Sequence, residues 1–220
     1  MLQRIEKRLK EIGFRTRCVF SPSQDDGAPE GVRTLMLIGH LGGEFWPAFQ
    51  LGRRDEADPL DNWTRRVIGP LAQDAAALAL YPFEGPPWLP FQRWAMQAEG
   101  LTQSPIGPLI HPQFGPWHGY RAALGFADRL PIPDPPRPVD LCAACLDKPC
   151  LSACPANVFA SGRYDVSACM GFLKGAAGAA CLQGGCQARA GCKQGRRHAY
   201  SKEQAAFHTQ AFLAAFSSSY

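Results

Sequence analysis

The chain has 220 residues, of which 46% are hydrophobic and 19% are charged. This composition is typical of a globular protein with its own core, and it excludes a chain that is disordered throughout. No run of about 18 apolar residues occurs, so we expect no membrane span. The N-terminus lacks the apolar segment of a secretory signal, so we expect a cytoplasmic protein. The net charge of +4 is too small to indicate nucleic-acid binding.

Apolar periodicity and turn residues predict alternating helices and strands in the first 130 residues. The first helix ends at Gly13, a residue that suits a helix terminus. Asp58 followed by Pro59 predicts another helix start, with Asp58 as N-cap and Pro59 as the first helical residue. The predicted elements are a helix over 2–12, strands over 15–20, 33–39 and 119–126, helices from 59 and over 90–99, and a buried strand or short helix over 76–82.

The composition changes at residues 131–138, where five of eight residues are proline. Such a segment forms a stiff, extended connector between folded parts. All five tryptophans precede it, whereas eight of the nine cysteines follow it. We therefore predict a domain over 1–130, a linker over 131–138, and a domain over 139–220 that ends in a helix over 201–216 with Ala205, Phe207, Phe212 and Phe216 on its apolar side.

The eight clustered cysteines have the spacing of metal ligands. The first four follow the pattern C-x2-C-x4-C-x3-C-P, which resembles the bacterial ferredoxin run C-x2-C-x2-C-x3-C-P. In a chain without an export signal, such a group is more typical of a metal site than of disulfides. Glycines and alanines around the cysteines let backbone amides approach a bound group. The predicted ligands are Cys142, Cys145, Cys150, Cys154, Cys169, Cys181, Cys186 and Cys192.

The ferredoxin resemblance implies two 4Fe–4S clusters, because in two-cluster ferredoxins the fourth cysteine of a run binds the other cluster. Two alternatives stay open: one cluster together with zinc or loose thiols, and structural zinc alone, since Cys₄ zinc sites also use C-x2-C pairs. Cys18 lies apart in a strand-like run, and we predict that it is a buried, inert thiol. By analogy one cluster takes Cys142, Cys145, Cys150 and Cys192, and the other takes Cys154, Cys169, Cys181 and Cys186.

Residues 110–121 place two histidines, three aromatic residues and an arginine among turn formers. The segment HPQFGPW at 111–117, followed by an arginine and a strand of small residues, resembles the cobalamin-processing family of methylmalonic aciduria with homocystinuria. Two further segments carry the same resemblance: DPLD at 58–61 is similar to the family's DPxD helix, and YSKEQ at 200–204 is similar to its YSxEQ segment.

This resemblance implies an α+β fold in which a flavin-reductase/nitroreductase-like domain precedes a bacterial-type dicluster ferredoxin module. The combination is also similar to epoxyqueuosine reductase and reductive dehalogenases, in which base-off cobalamin receives electrons from the nearer cluster. It implies an iron–sulfur reductase with His111, Phe114, Trp117 and Arg121 near the corrin. The implied partner is a redox donor protein of the flavodoxin or ferredoxin reductase type. Residues 95–108 do not match the acidic catalytic motif of epoxyqueuosine reductase, so modification of tRNA is not implied.

Two other functions stay open on the sequence. The chain could be an electron-transfer protein without catalysis, with the first domain as a docking module, or a flavin-dependent reductase on the same fold. The loop over 111–117 discriminates between the first two. An open pocket lined by this loop would favour the cobalamin reductase, whereas aromatic rings packed into a core would favour the electron carrier.

Overall fold

The computed structural model describes residues 2–132 and 134–217 as an α+β protein. The chain divides into two compact units: the first comprises Met1–Leu101 and His118–Pro138, and the second comprises Thr102–Trp117 and Val139–Tyr220. The segment over 102–117 therefore belongs to the cysteine-bearing unit. None of the described helices has the length and apolar character needed to cross a bilayer.

Most predicted elements are present, with bounds that differ by a few residues at their ends. The helices are α1 (Leu2–Glu11), α2 (Trp46–Gly52), α3 (Pro59–Asp74), α4 (Phe91–Glu99), α5 (Pro149–Ser152), α6 (Val166–Lys174), α7 (Ala179–Gly184), α8 (Gln187–Gly191) and α9 (Lys202–Ser217). The strands are β1 (Arg15–Phe20), β2 (Thr34–Leu41), β3 (Leu78–Leu80), β4 (Thr102–Gln103), β5 (Leu109–Ile110) and β6 (His118–Phe126).

The first unit is built on an antiparallel sheet of order β1-β2-β6-β3. Its core is strongly aromatic, which explains the uneven distribution of tryptophan. The rings of Phe14, Phe45, Phe49 and Trp63 contact one another with centroids 5.4 to 6.4 Å apart. Such large rings supply most of the apolar area that a small domain can bury. Within the segment over 76–82, predicted as a buried strand or a short helix, Leu78–Leu80 form the edge strand β3; Leu78 is exposed and Leu80 is buried, because an edge strand is covered on fewer sides.

The chain turns between α1 and β1 at Gly13, as predicted. Ile5 and Leu9 are the buried residues of α1, in agreement with its apolar stripe. Gly13 has a φ of +71°, and a Cβ there would lie 2.2 Å from the carbonyl oxygen of Glu44. Only glycine satisfies both the left-handed conformation and this close approach.

Before β2 the chain makes a 3₁₀ turn over Gln24–Asp26. Asp26 accepts hydrogen bonds from the backbone N–H of Ser23 at 2.7 Å and from the Ser23 hydroxyl at 2.8 Å. Burial opposes ionisation of the Asp26 carboxyl, but these hydrogen bonds outweigh it and lower its pKa. The Asp26 carbonyl also accepts a hydrogen bond from Trp94 Nε1 at 2.8 Å, so the turn is attached to α4.

Two arginines of β1 form ion pairs that differ in burial. Arg17 binds Glu99 at 2.8 Å, and these side chains are only 3% and 10% exposed. Arg15 binds Glu44 at 2.7 Å, with both side chains 40% exposed. Arg17 also donates to the carbonyl of His40 at 3.2 Å. The buried pair is therefore held in a polar network, whereas the other lies at the surface.

The second unit consists of the short β4–β5 pair and five short or medium helices. Its core contains Ile106, Cys150, Val158, Phe159 and Ala188, so the segment between β4 and β5 packs with the cysteine-bearing helices. Because Ile106 shares this core, the segment over 102–117 belongs to the same unit as residues after 138, although the two are far apart in sequence.

Helix α9 is present where predicted, but it buries a different side. Gln204, Ala206 and Thr209 are its buried residues, while the phenylalanines and Ala205 are half-buried or exposed. Ala205, on the predicted side, still makes one close contact, since a Cβ at Gly185 would lie 2.5 Å from its own Cβ. Because nearly every side of this helix is small or apolar, its periodicity alone does not identify the face that packs.

Candidate functional site

One group of four thiols comes from two distant parts of the second unit. Burial, together with the charges of Cys192, Cys150 and Cys145, raises the pKa of the Cys142 thiol to about 11. Burial also raises the pKa of Cys150 and of Cys192, and the charge of Cys145 raises both further. The four thiols are thus close enough to interact electrostatically, and we call them the first quartet.

The other four cysteines interact in the same way. Burial raises the pKa of Cys169 and of Cys181, and the charges of Cys154 and Cys186 raise both further. A hydrogen bond from Tyr164 partly offsets this effect at Cys169. We call these four the second quartet.

Two short helices join the quartets. Helix α8 begins directly after Cys186, in the second quartet, and ends directly before Cys192, in the first. Helix α5 contains Cys150, of the first quartet, and ends two residues before Cys154. The two helices pack closely, since a Cβ at Gly191 would lie 2.7 Å from that of Ala153. The backbone therefore sets the spacing between the quartets.

Backbone amides are directed at the sulfur atoms. The N–H groups of Leu151, Gln187 and Gln194 donate to Cys150, Cys181 and Cys192, respectively, and lower the pKa of each thiol. Such bonds hold and tune ligating sulfurs. Among residues 2–132 and 134–217, no three His, Cys, Asp or Glu side chains converge as they would around a single metal ion. A cubane needs a wider arrangement, because each thiolate binds its own iron.

The loop over 111–117, which we call the HPQFGPW loop, lies in the same unit. His111 and Gly115 exchange backbone hydrogen bonds of 2.9 and 2.8 Å, which close the loop. His111 Nδ1 accepts hydrogen bonds from the backbone N–H groups of Gln113 at 3.1 Å and Phe114 at 3.2 Å. The ring proton of neutral His111 is therefore on Nε2, which makes this atom a donor rather than a metal ligand.

The two aromatic rings of the HPQFGPW loop are buried. Phe114 packs on His198 with ring centroids 4.1 Å apart, and Trp117 packs on Tyr200 at 5.2 Å. Trp117 Nε1 is buried and has no hydrogen-bond partner within the part of the chain that the structure describes. The loop tip, residues 112 and 113, is exposed. The rings therefore support the loop, and its tip is the accessible part.

Arg189, which the sequence analysis did not single out, contacts this loop. Its Nε donates to the carbonyl of Pro116 at 3.0 Å, and its Nη2 donates to the same oxygen and, at 3.0 Å, to the Tyr200 hydroxyl. The guanidinium also lies over the rings of Trp117 and Tyr200. Its position between two cysteines and the known affinity of arginine for aromatic rings were the signals available from the sequence.

Arg121, the fourth predicted cobalamin contact, lies in the first unit. It pairs with Asp61, is within 3.4 Å of the Thr64 hydroxyl, and lies 5.0 Å above the ring of Phe83. Asp61 belongs to the DPLD segment and lies in the first turn of α3. Through its pair with Arg121, this segment contacts β6, the strand that follows the HPQFGPW loop. The helix begins at Pro59 as predicted, although Asp58 has a left-handed conformation and makes no capping bond through its side chain.

Cys18 is half-buried in β1. Burial, assisted by the charge of Glu99, raises the pKa of its thiol far above the ordinary value. A thiol that stays protonated is a poor nucleophile, which agrees with the predicted inert role.

No protein-family model matches the chain, and no curated protein matches it. Solved structures do. The C. elegans B12-trafficking protein CblC, a homologue of human MMACHC, matches with a TM-score of 0.59 and 13% identity over 96% of this chain and 94% of its own. Epoxyqueuosine reductase from Bacillus subtilis matches with a TM-score of 0.52 and 13% identity, over 91% of this chain and 67% of its own.

Epoxyqueuosine reductase from Streptococcus thermophilus matches with a TM-score of 0.50 and 16% identity, over 89% of this chain and 66% of its own. The chain thus spans about two thirds of these reductases and nearly all of CblC. Both kinds of protein are those that the motifs of the sequence resemble. The chain therefore has an α+β fold similar to the folds of CblC and epoxyqueuosine reductase.

Proposed function

We propose that the chain is an iron–sulfur reductase that binds two 4Fe–4S clusters and passes single electrons to a bound cobalamin. The observation that carries this proposal is the arrangement of eight clustered cysteines into two quartets joined by α5 and α8, in which neighbouring cysteines raise the pKa of Cys142 and of Cys169. A raised pKa keeps these thiols protonated when no metal is bound, because neighbouring thiolates would repel one another. Bound iron would replace the protons and neutralise the thiolate charge. The proposed ligand sets are the first and second quartets.

The residues around the quartets suit such clusters. The chain supplies thiolates, amide donors to three of the sulfurs, and small residues that leave space for the bound group. When bound, the clusters would supply electrons one at a time. The part played by the protein is to fix their spacing through α5 and α8 and to control access of solvent.

The HPQFGPW loop is the proposed cobalamin contact. Its tip, residues 112 and 113, is exposed and could reach the amide groups at the edge of a corrin, and His111 stays a proposed contact next to it. Phe114 and Trp117 would then support the contact rather than make most of it. The likeness to a B12-trafficking protein supports this choice of cofactor. A contribution from Arg121 is a separate prediction, tested by its replacement.

The experiment is a count of iron and sulfide in anaerobically purified protein, followed by titration with aquacobalamin in the visible range. We expect eight irons and a spectral change on binding. Cys169→Ala should lower the iron content to about four, whereas Cys18→Ala, the matched control, should leave eight. Zinc in place of iron would contradict the proposal. Eight irons without cobalamin binding would contradict the proposal and leave an electron carrier or a flavin-dependent reductase.

The second candidate function is that of an electron carrier without catalysis. The specific observation in its favour is the burial of Phe114 and Trp117, which was the sequence-based criterion for a carrier. The same titration repeated with FMN tests the flavin-dependent alternative. For either function we propose a redox donor protein of the flavodoxin or ferredoxin reductase type as the partner, and reduction of the clusters by purified flavodoxin would test it.

A further inference from the structure

We propose that Arg189 is a positioning residue that fixes the HPQFGPW loop to the helix that carries one cysteine of each quartet. Through this attachment the loop keeps its place for cobalamin binding. The inference about binding rests on the proposed function, whereas the attachment itself does not.

The guanidinium of Arg189 makes contacts that few other side chains could replace. Two of its nitrogens bind the Pro116 carbonyl, and one of them also binds the Tyr200 hydroxyl at 3.0 Å. Its central carbon lies 5.1 Å from the Trp117 ring centroid and 4.5 Å from that of Tyr200. A planar cation with several donors suits this arrangement, whereas the compact ammonium of lysine does not.

The position of Arg189 in the chain gives these contacts their meaning. It is the third residue of α8, and the residues that flank this helix are Cys186 and Cys192. The buried core residue Ala188 lies directly before it, so the helix cannot rotate to bring another side chain to the loop. Arg189 therefore connects the two quartets to the loop through one side chain.

The HPQFGPW loop also contacts the segment at Gln194 and Gly195, and this contact shows why the loop needs the attachment through Arg189. Gly115 and Gly195 have φ values of +55° and +66°, and a Cβ at Gly115 would lie 2.2 Å from the carbonyl oxygen of Gln194. The backbone of the loop therefore lies directly against the backbone at Gln194, and we expect this contact to hold the loop only weakly. The packing of His198 on Phe114 holds the middle of the loop, and Arg189 holds its C-terminal end at Pro116 and Trp117.

The first test measures hydrogen–deuterium exchange of the 111–117 backbone in anaerobically purified, iron-loaded protein. We expect exchange about tenfold faster in Arg189→Met than in the wild type, with the iron content unchanged. Arg189→Lys should fall between the two, because it keeps the charge but not the paired donors. Arg163→Met is the matched control, since it removes an exposed arginine of the same unit, and it should exchange at the wild-type rate.

The second test titrates the same proteins with aquacobalamin. We expect Arg189→Met to bind about tenfold more weakly and Arg163→Met to bind like the wild type. Wild-type exchange of the loop in both Arg189 variants would overturn the inference. Faster exchange with unchanged cobalamin affinity would show that the loop is attached by Arg189 but does not bind cobalamin through it. If the wild type binds no cobalamin, the proposed function fails, and the exchange data still decide whether Arg189 fixes the loop.

Discussion

The buried ion pair between Arg17 and Glu99 offers a sharp test of how this fold is held together. Arg17→Met removes the positive charge and leaves the Glu99 carboxylate buried without its cation. Arg15→Met is a close control, because Arg15 lies two residues away in the same strand and its N–O distance to Glu44 differs by only 0.1 Å, 2.7 against 2.8 Å. The two pairs differ mainly in exposure.

The difference in exposure determines how much each variant should lower the free energy of unfolding. Removal of one partner of a buried pair costs about 3–5 kcal/mol in the free energy of unfolding, because the other charge stays buried. An exposed pair contributes about 0–1 kcal/mol. With a urea m-value of about 2 kcal/mol/M, Arg17→Met should lower the unfolding midpoint by about 2 M, and Arg15→Met by less than about 0.5 M.

The assay is urea unfolding followed by tryptophan fluorescence. Four of the five tryptophans lie in the first unit, so the signal reports chiefly on the unit that contains the pair. The double variant Arg17→Met/Glu99→Leu should recover part of the loss, since no uncompensated charge stays buried. Equal midpoint shifts for Arg17→Met and Arg15→Met would refute the argument from burial.

Three further predictions concern single residues. Asp26→Asn should destabilise the protein at neutral pH. Because the folded pKa of Asp26 is lowered, the difference in the free energy of unfolding between variant and wild type should shrink as the pH falls from about 4 through that pKa. Urea unfolding at a series of pH values measures this difference. Cys18 should not react with iodoacetamide in the native protein at pH 8 and should react after unfolding, by mass spectrometry. Gly195→Ala should lower the thermal midpoint more than Gly162→Ala, because both glycines have positive φ but only Gly195 faces the backbone of Phe114, whereas nothing lies near Gly162.

The first unit could be predicted well from the sequence because its signals are local. The turn glycine after α1, the Asp58-Pro59 start of α3 and the alternating strands each act within a few residues. The buried face of α9 could not be predicted in this way. It includes the polar residues Gln204 and Thr209, which a pattern of apolar residues does not mark as buried.

The same distinction between local signals and distant contacts applies to the candidate site. The cysteine spacing is a local pattern, and it predicts the eight ligands, whereas their partition is implied by the resemblance to ferredoxins. The attachment of the HPQFGPW loop depends on Arg189 and Tyr200, which are far from the loop in sequence. Neither belongs to a local pattern that points to the loop, so the contact becomes visible only when the fold brings 102–117 into the second unit.

The helices α5 and α8 have a consequence for how the protein acquires iron. Each connects a cysteine of the first quartet to one of the second, and the two helices pack against each other at Gly191 and Ala153. When the cysteines of one quartet become ordered around a bound cluster, α5 and α8 therefore also order the cysteines of the other quartet. Loading of the second site should therefore be easier once the first is filled.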